Sequence, residues 1–164
     1  MLKKLAAPDL EGLPITYQKE IPENYRDEMG HMNVMWYTHL FSHAFDRFGA
    51  LWGFNWATWK AQGVGSFVLE AHVRYLREVK VGQHVTLRSR AIGRSAKRFH
   101  YMHFMTIDET GALAATAEQI SAHIDMTLRR MSPLAPEIAT KFDELVARQN
   151  ALGWEAPVCG AMKP

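Results

Sequence analysis

Four residues whose chemistry is useful in catalysis stand close together in the segment YRDEMGHMNVMWY, residues 25–37. They are Asp27, Gly30, His31 and Asn33, and an aromatic helix is predicted to begin directly after them. A carboxylate at the amino end of a helix either caps the free amides of the first turn or acts as a base or nucleophile beside amides that stabilise an oxyanion. A metal site is the third interpretation that these residue types allow.

Two pairs of histidines elsewhere in the sequence do not favour a metal site. His39 and His43 are one helical turn apart, but no glutamate follows the first of them as in the HExxH motif, so packing or hydrogen bonding is favoured. His100 and His103 are three residues apart on a predicted strand and therefore face opposite ways. The single cysteine, Cys159, excludes an internal disulfide framework and a cysteine-based zinc cluster. We predict no metal ion and no cofactor.

The composition is that of one ordinary globular domain. The chain has 164 residues, of which 48% are hydrophobic and 22% are charged, and its net charge of +2 is too small to argue for general nucleic-acid binding. No apolar run approaches the ~18 residues of a membrane-spanning helix, and the first residues lack the apolar core of a secretory signal. We expect a cytoplasmic protein that binds neither nucleic acid nor membrane.

The helices that must position the four residues are predicted from periodicity. Between Asn33 and about Trp52, apolar residues recur every three or four positions, and further aromatic residues widen this stripe until the helix is expected to be buried on most sides. A short second helix is predicted at 55–63, ending at Gly63. Most tryptophans are expected in the core, although some of them are also suited to line an acyl pocket or to face a quaternary ammonium group.

The strands are predicted from a period of two. Residues 15–21 form a first strand, and four more follow the helices at 66–76, 84–92, 98–107 and about 112–126. Short turns join these four, so they are antiparallel neighbours. An antiparallel sheet that covers an apolar helix curves around it, and the predicted fold is therefore α+β.

The predicted domain organisation is simple. The whole chain, 1–164, is expected to form one domain, with an N-terminal arm at 1–14 and a C-terminal helix and tail at 134–164. The C-terminal helix should lie on the surface with one apolar side.

The motif D-E-M-G-H-M-N, together with this order of elements, resembles the hotdog fold and, within it, the 4-hydroxybenzoyl-CoA thioesterase-like family of acyl-CoA thioesterases. In the pattern of that family an acid precedes a glycine by three positions, and a histidine, a hydrophobic residue and an asparagine then open the central helix. The matching residues here are Asp27, Gly30, His31, Met32 and Asn33.

Two further stretches carry the resemblance, VRYLREVKVGQHVTL and AATAEQISAHIDMTLRRMSPLAPEI, so that it spans roughly residues 15 to 140. The chain departs from the pattern at Val34, where many members have a second asparagine. The GHMN variant also resembles the subset linked to betainyl-CoA in carnitine breakdown.

The resemblance implies an enzyme that hydrolyses a coenzyme A thioester, with about five strands wrapped around the central helix. It implies Asp27 as general base or nucleophile and the Val34 amide as a donor to the oxyanion; from spacing alone, Asp27 is as well explained as a loop acid that helps to cap the helix. Gly30 would supply a special backbone conformation or a close approach. His31 would orient Asp27 or the substrate, or be structural. Asn33 suits the helix cap best.

The substrate-binding candidates are Asn33, Tyr37 and three basic residues of the segment GRSAKRF, namely Arg94, Lys97 and Arg98. The basic residues are either a solvated loop or, as the resemblance implies, ligands of the nucleotide phosphates. Glu70 and Arg74 share a strand face, which favours a surface ion pair over a second catalytic acid.

The resemblance also implies a homodimer or homotetramer with the active site between subunits. Two other functions stay open. One is hydration or dehydration of an acyl thioester on the same fold, and the other is a module that binds acyl-CoA without catalysis.

Overall fold

The computed structural model describes residues 10–164 of the chain. The first nine residues of the predicted arm lie outside this range. The strands are β1 (Ile15–Glu20), β2 (Val64–Tyr75), β3 (His84–Arg94), β4 (Arg98–Ile107), β5 (Ala112–Asp125) and β6 (Arg130–Met131), and the helices are α1 (Val34–Ala50), α2 (Trp56–Ala61) and α3 (Pro136–Asn150). The predicted elements are confirmed to within a few residues, and β6 was not predicted.

The sheet is antiparallel in the order β1-β3-β4-β5-β2, with the short β6 beside β5. Strands that follow one another from β3 to β5 are neighbours, as predicted, because the turns between them are short. The predicted pairing of β2 with β3 is wrong, since β2 pairs with β5 at the edge of the sheet. A β-bulge between Val68 and Glu70 interrupts β2. The bulge inserts one extra residue, so Phe67 and Ala71 lie on opposite faces of the sheet although they are four residues apart.

Helix α1 packs on the concave face of the curved sheet. Its buried side chains meet those of β3, β4 and β5 in one core cluster, in which Leu40 and Phe41 contact residues such as Leu87 and Met105. A second cluster, centred on Trp52, joins the end of α1 to α3. The prediction that α1 is buried on most sides is wrong, because the face that carries His39 and His43 is exposed.

The convex face of the sheet is covered as well. Met102 and Phe104 of β4 pack there against Leu10, Leu13 and Trp154, which come from the two ends of the described chain. Every residue of β4 after the first is buried for this reason. The segment 151–164, here called the C-terminal tail, therefore lies on the sheet as part of the fold. None of the helices among residues 10–164 combines the length and the apolar composition that a membrane span requires.

Three buried polar side chains form a hydrogen-bonded series beneath α1. The Thr16 hydroxyl lies 2.7 Å from the Ser89 hydroxyl, which lies 2.6 Å from Nδ1 of His103. The His103 ring stacks on Phe41 and is fully buried. Burial lowers the pKa of His103 from 6.5 to about 3, so the ring is neutral in the folded protein.

This histidine should make stability depend on pH. As the pH falls from 6.5 toward 3, His103 becomes protonated in the unfolded chain but stays neutral in the folded chain. The free energy of unfolding therefore falls. Across this range, the free energy of unfolding of the wild type should fall by up to about 1.4 kcal/mol per pH unit more than that of a His103→Gln variant. Urea unfolding at each pH measures both values. Parallel pH profiles of the two proteins would contradict a neutral His103.

Candidate active site

A tight loop places Asp27 ahead of α1. The loop follows a 3₁₀ turn at Glu23–Tyr25, and it closes on itself because the Asp27 amide donates to the carbonyl of His31 over 2.9 Å. The Gly30 amide donates to the Asp27 carbonyl over 3.1 Å, and Gly30 has a φ of +90°. No atom lies within 4 Å of the position of a Cβ at Gly30, so the glycine is required for its backbone conformation and not for a close approach.

The loop holds the Asp27 carboxylate in one orientation. Oδ1 accepts a hydrogen bond from the Met29 amide at 2.8 Å and a longer one from the His31 amide at 3.4 Å. Oδ2 lies 3.0 Å from Nδ1 of His31, and only 19% of the Asp27 side chain is exposed. His31 therefore contacts the carboxylate directly, which is the arrangement that its predicted orienting role requires.

The amino end of α1 lies next to this carboxylate. The Asn33 side chain caps the helix by accepting from the Met35 amide at 3.0 Å, which confirms the predicted cap. The Trp36 amide donates to the Asn33 carbonyl. The Val34 amide has no hydrogen-bond partner among residues 10–164, so one donor of the first turn is available at the positive end of the helix dipole.

The loop and the helix end form one side of an open cleft of about 470 Å³. Asp27, His31, Asn33, Val34 and Tyr37 all line it. The sequence thus predicted five of the residues that this cleft brings together. An open cleft beside a carboxylate and a free amide is suited to a substrate with a polarised carbonyl group.

The opposite side of the cleft comes from the end of β2 and the residues after it, which were not predicted as site residues. Tyr75, Leu76, Arg77 and Glu78 line it, and the Tyr75 ring meets the Tyr37 ring edge to face at 5.1 Å. Burial raises the pKa of Tyr37, against a weaker opposing effect of the Val79 backbone. The available signal was an aromatic residue at a strand end followed by charged residues.

The basic hairpin between β3 and β4 does not reach this cleft within one chain. Arg98 pairs with Ala122 of β5, whereas Tyr75 pairs with Ala115 of the same strand, seven residues away. Seven residues of extended strand correspond to roughly 23 Å. Arg94, Lys97 and Arg98 therefore lie at the other end of the sheet from Asp27.

The three hairpin residues also differ in what they contact. Arg94 forms a two-pronged ion pair with Asp143 of α3, at 2.6 and 2.8 Å, so its guanidinium is already occupied. Lys97 is exposed and Arg98 is half-buried, and the structure gives neither side chain a hydrogen bond or ion pair within the described part of the chain. Lys97 and Arg98 are therefore the basic groups that remain for a phosphate.

Other predicted groups have structural partners. The Nε2 atoms of His39 and His43 lie 3.2 Å apart, which confirms hydrogen bonding between them. The predicted ion pair of Glu70 and Arg74 is wrong: Arg74 instead donates to the carbonyl of Pro157 at 3.0 Å. The acceptor belongs to the C-terminal tail, whose position on the sheet the strand pattern does not reveal.

The tryptophans divide between core and surface. Trp52 and Trp59 are buried, as predicted for most of them. Trp56 is half exposed and donates to Asp46 at 2.7 Å, and Trp36 stacks on Tyr25 beside the loop that carries Asp27. None of the four lines the cleft described above.

Comparisons with known proteins agree with this architecture. A family model described as the Thioesterase-like superfamily matches residues 22–142. A betainyl-CoA thioesterase of Pseudomonas aeruginosa is 30% identical over 137 residues, which cover 84% of this chain and 86% of the relative. An L-carnitine dehydrogenase/betainyl-CoA thioesterase of Agrobacterium fabrum is 28% identical over 82% of this chain, which spans only 27% of that longer protein.

Solved structures show the same fold. A putative thioesterase of Pseudomonas putida superposes with a TM-score of 0.76 at 27% identity, covering 93% of this chain and 96% of that one. A hypothetical protein of Staphylococcus aureus in complex with CoA superposes with a TM-score of 0.77 at 22% identity, covering 89% of this chain and 96% of that one.

Proposed function

This chain belongs to the Thioesterase-like superfamily and is a hotdog-fold thioester hydrolase that acts on coenzyme A thioesters, and we propose that Asp27 is its catalytic carboxylate. The observation that carries this proposal is the position of Asp27. Its carboxylate is held by the loop at the mouth of the cleft, beside the free amide of Val34.

The reaction follows from this arrangement. The thioester carbonyl oxygen accepts a hydrogen bond from the Val34 amide, and the dipole of α1 stabilises the negative charge that develops on that oxygen. Asp27 either removes a proton from the attacking water or attacks the carbonyl carbon itself. His31 contacts Oδ2 of Asp27 and acts by positioning it. The C–S bond then breaks, and coenzyme A leaves as a thiolate that takes up a proton. In the general-base route the water oxygen is already bonded to the carbonyl carbon and the free acid results directly, whereas in the nucleophilic route a water molecule must hydrolyse the anhydride formed with Asp27 to give the free acid.

The second part of the proposal is a homodimer that completes the site. Within residues 10–164, β2 is an edge strand that pairs only with β5, and it exposes Phe67, Val68 and Leu69. An exposed apolar edge is a template for another strand. A second copy of the chain is the occupant that suits it, because two β2 strands related by a two-fold axis are antiparallel and present the same surface to one another.

This dimer brings the basic hairpin to the cleft. Arg98 and Phe67 both pair with Ala122, so the hairpin is level with the beginning of β2. In an antiparallel β2 pair, the beginning of one strand lies beside the end of the other, where Tyr75 lines the cleft. Lys97 and Arg98 of one copy then approach the cleft of the other and bind the phosphates of coenzyme A.

We further propose that the acyl group is small and carries a quaternary ammonium, as in betainyl-CoA. The Pseudomonas aeruginosa relative is named a betainyl-CoA thioesterase, and the Agrobacterium fabrum relative is named an L-carnitine dehydrogenase/betainyl-CoA thioesterase. The cleft suits such a cation, since it presents the rings of Tyr37 and Tyr75 together with two carboxylates, Asp27 and Glu78, against one arginine, Arg77. A quaternary ammonium has no N–H to donate and binds through aromatic faces and negative charge.

The catalytic role of Asp27 is tested by Asp27→Asn. This change keeps the shape of the side chain and removes the base, so kcat should fall at least ~10²-fold while the protein stays folded. The measurement is thiol release from betainyl-CoA, with circular dichroism as the check on folding. His31→Gln is the matched variant and should lose less activity, because it affects only the orientation of the carboxylate. Unchanged turnover of a good substrate by Asp27→Asn excludes the assignment.

The phosphate role of the hairpin is tested with two substrates that share one acyl group. Lys97→Ala should raise KM for the coenzyme A thioester about 10-fold and leave KM for the N-acetylcysteamine thioester, which has no phosphate, unchanged. Lys19→Ala, which removes the same charge from the far edge strand β1, should change neither. Equal effects of Lys97→Ala on both substrates would show that Lys97 does not bind the nucleotide.

The cationic acyl group is tested by comparing betainyl-CoA with tert-butylacetyl-CoA, its neutral analogue of the same shape. Tyr75→Leu removes the aromatic face, and it should lower kcat/KM for betainyl-CoA at least ~5-fold more than for the neutral analogue. Tyr75→Phe retains the face and should behave like the wild type. If Tyr75→Leu affects both substrates equally, the ring does not recognise charge.

A further inference from the structure

A second group of reactive side chains lies on the convex face of the sheet, away from the cleft. Glu118 stands in the middle of β5 and its side chain is fully buried. His72 of β2 is its cross-strand partner, so both side chains leave the sheet on the same face. The C-terminal tail crosses this face and brings Cys159 to the same point.

The buried carboxylate has an unusual set of partners. Oε1 of Glu118 lies 2.9 Å from Nε2 of His100. Oε2 accepts the Cys159 amide at 2.6 Å and lies 4.0 Å from Nδ1 of His72. The ion-pair partners that the described residues give Glu118 are thus both histidines, although a buried carboxylate is costly unless its charge is compensated.

Three of these residues converge as metal ligands do. One ligand atom from each of His72, Glu118 and Cys159 lies within 4.8 Å of the other two. Each residue comes from a different segment: an edge strand, a central strand and the tail. We propose that His72, Glu118 and Cys159 bind a zinc ion on the convex face of the sheet.

The donor types favour zinc. One imidazole nitrogen, one thiolate and one carboxylate oxygen form a mixed set of the kind that zinc accepts, at about 2.0–2.3 Å from the metal. Harder ions such as magnesium and calcium prefer oxygen ligands alone. Small movements of the partly exposed His72 and Cys159 side chains would close the present separations to those of a tetrahedral site, with water as the fourth ligand.

His100 completes the arrangement as a positioning residue. It binds Oε1 of Glu118, the oxygen that does not face His72, and so it orients the carboxylate toward the other two ligands. Metal ligands in proteins are generally held by such outer hydrogen bonds. The full burial of Glu118 and the near-complete burial of His100 make this pair a rigid base for the site.

The ion would fasten the C-terminal tail to the sheet. The tail already has three polar anchors on this face: Arg90 donates to the Trp154 carbonyl at 2.7 Å, Arg74 donates to the Pro157 carbonyl at 3.0 Å, and the Cys159 amide donates to Glu118 at 2.6 Å. Cys159 lies two residues beyond the second anchor. A bond from the Cys159 sulfur to a metal held by β2 and β5 adds a fourth anchor, and the positive ion lies beside the buried carboxylate.

The test uses the reactivity of Cys159, which is the single cysteine of the chain. The full-length protein without a histidine tag is freed of metal with a chelator, and alkylation by iodoacetamide is followed by mass spectrometry with and without one equivalent of zinc. Zinc should slow alkylation of the wild type at least ~10-fold, because a thiolate bound to metal is no longer a free nucleophile. In His72→Ala, zinc should have little effect.

Cobalt(II) identifies the ligands directly. The wild type loaded with cobalt should show a thiolate-to-cobalt charge-transfer band in the near ultraviolet. The band should be absent in Cys159→Ser and present in His84→Ala, which removes an exposed histidine elsewhere. His100→Asn should keep the band and weaken metal affinity ~10–100-fold.

Two results would overturn the proposal. One is equal alkylation rates of the wild type with and without zinc. The other is zinc protection that persists in His72→Ala, since the ion would then be bound elsewhere. Hydrolysis of acyl-CoA does not enter these measurements, so they are independent of the roles proposed for Asp27 and the cleft.

Discussion

The packing of α1 into the concave face of the sheet is the constraint on which the rest of the structure depends. Leu40 and Phe41 are buried in a cluster with residues of β3 and β4, and Phe48 packs on Tyr101 of β4. These contacts fix the direction of the helix. Its amino end must then emerge at one end of the sheet, where Asn33 caps it. The Val34 amide at this end has no hydrogen-bond partner among residues 10–164, because the first amides of a helix have no carbonyl one turn before them, and the positive end of the helix dipole lies at the same place.

The loop that carries Asp27 depends on this placement. The Met32 amide donates to the Val79 carbonyl and the Asn33 amide to the Tyr25 carbonyl, so the loop is tied on both sides to segments that themselves pack on the sheet. Asp27 therefore needs no long-range salt bridge to be held in position. The amides of its own turn and the His31 ring suffice.

The sheet is used on both faces and along one edge. Its concave face holds the helix, its convex face holds the tail through Arg90 and Trp154, and β2 exposes apolar side chains along the edge opposite β1. This division separates the two clusters of reactive side chains. The cleft opens at the helix end, whereas Glu118 is enclosed between the sheet and the tail.

The element order, the α+β class and the Asp27 cluster can be predicted from the sequence, because periodicity, capping and a motif of consecutive residues are local properties of the chain. Three other features arise only when the chain folds: the wall of the cleft at Tyr75 and Glu78, the pairing of Arg94 with Asp143, and the meeting of His72, Glu118 and Cys159. Strand register and the path of the tail bring these residues together from positions tens of residues apart. Such contacts depend on how whole elements pack, and no local pattern in the sequence records them.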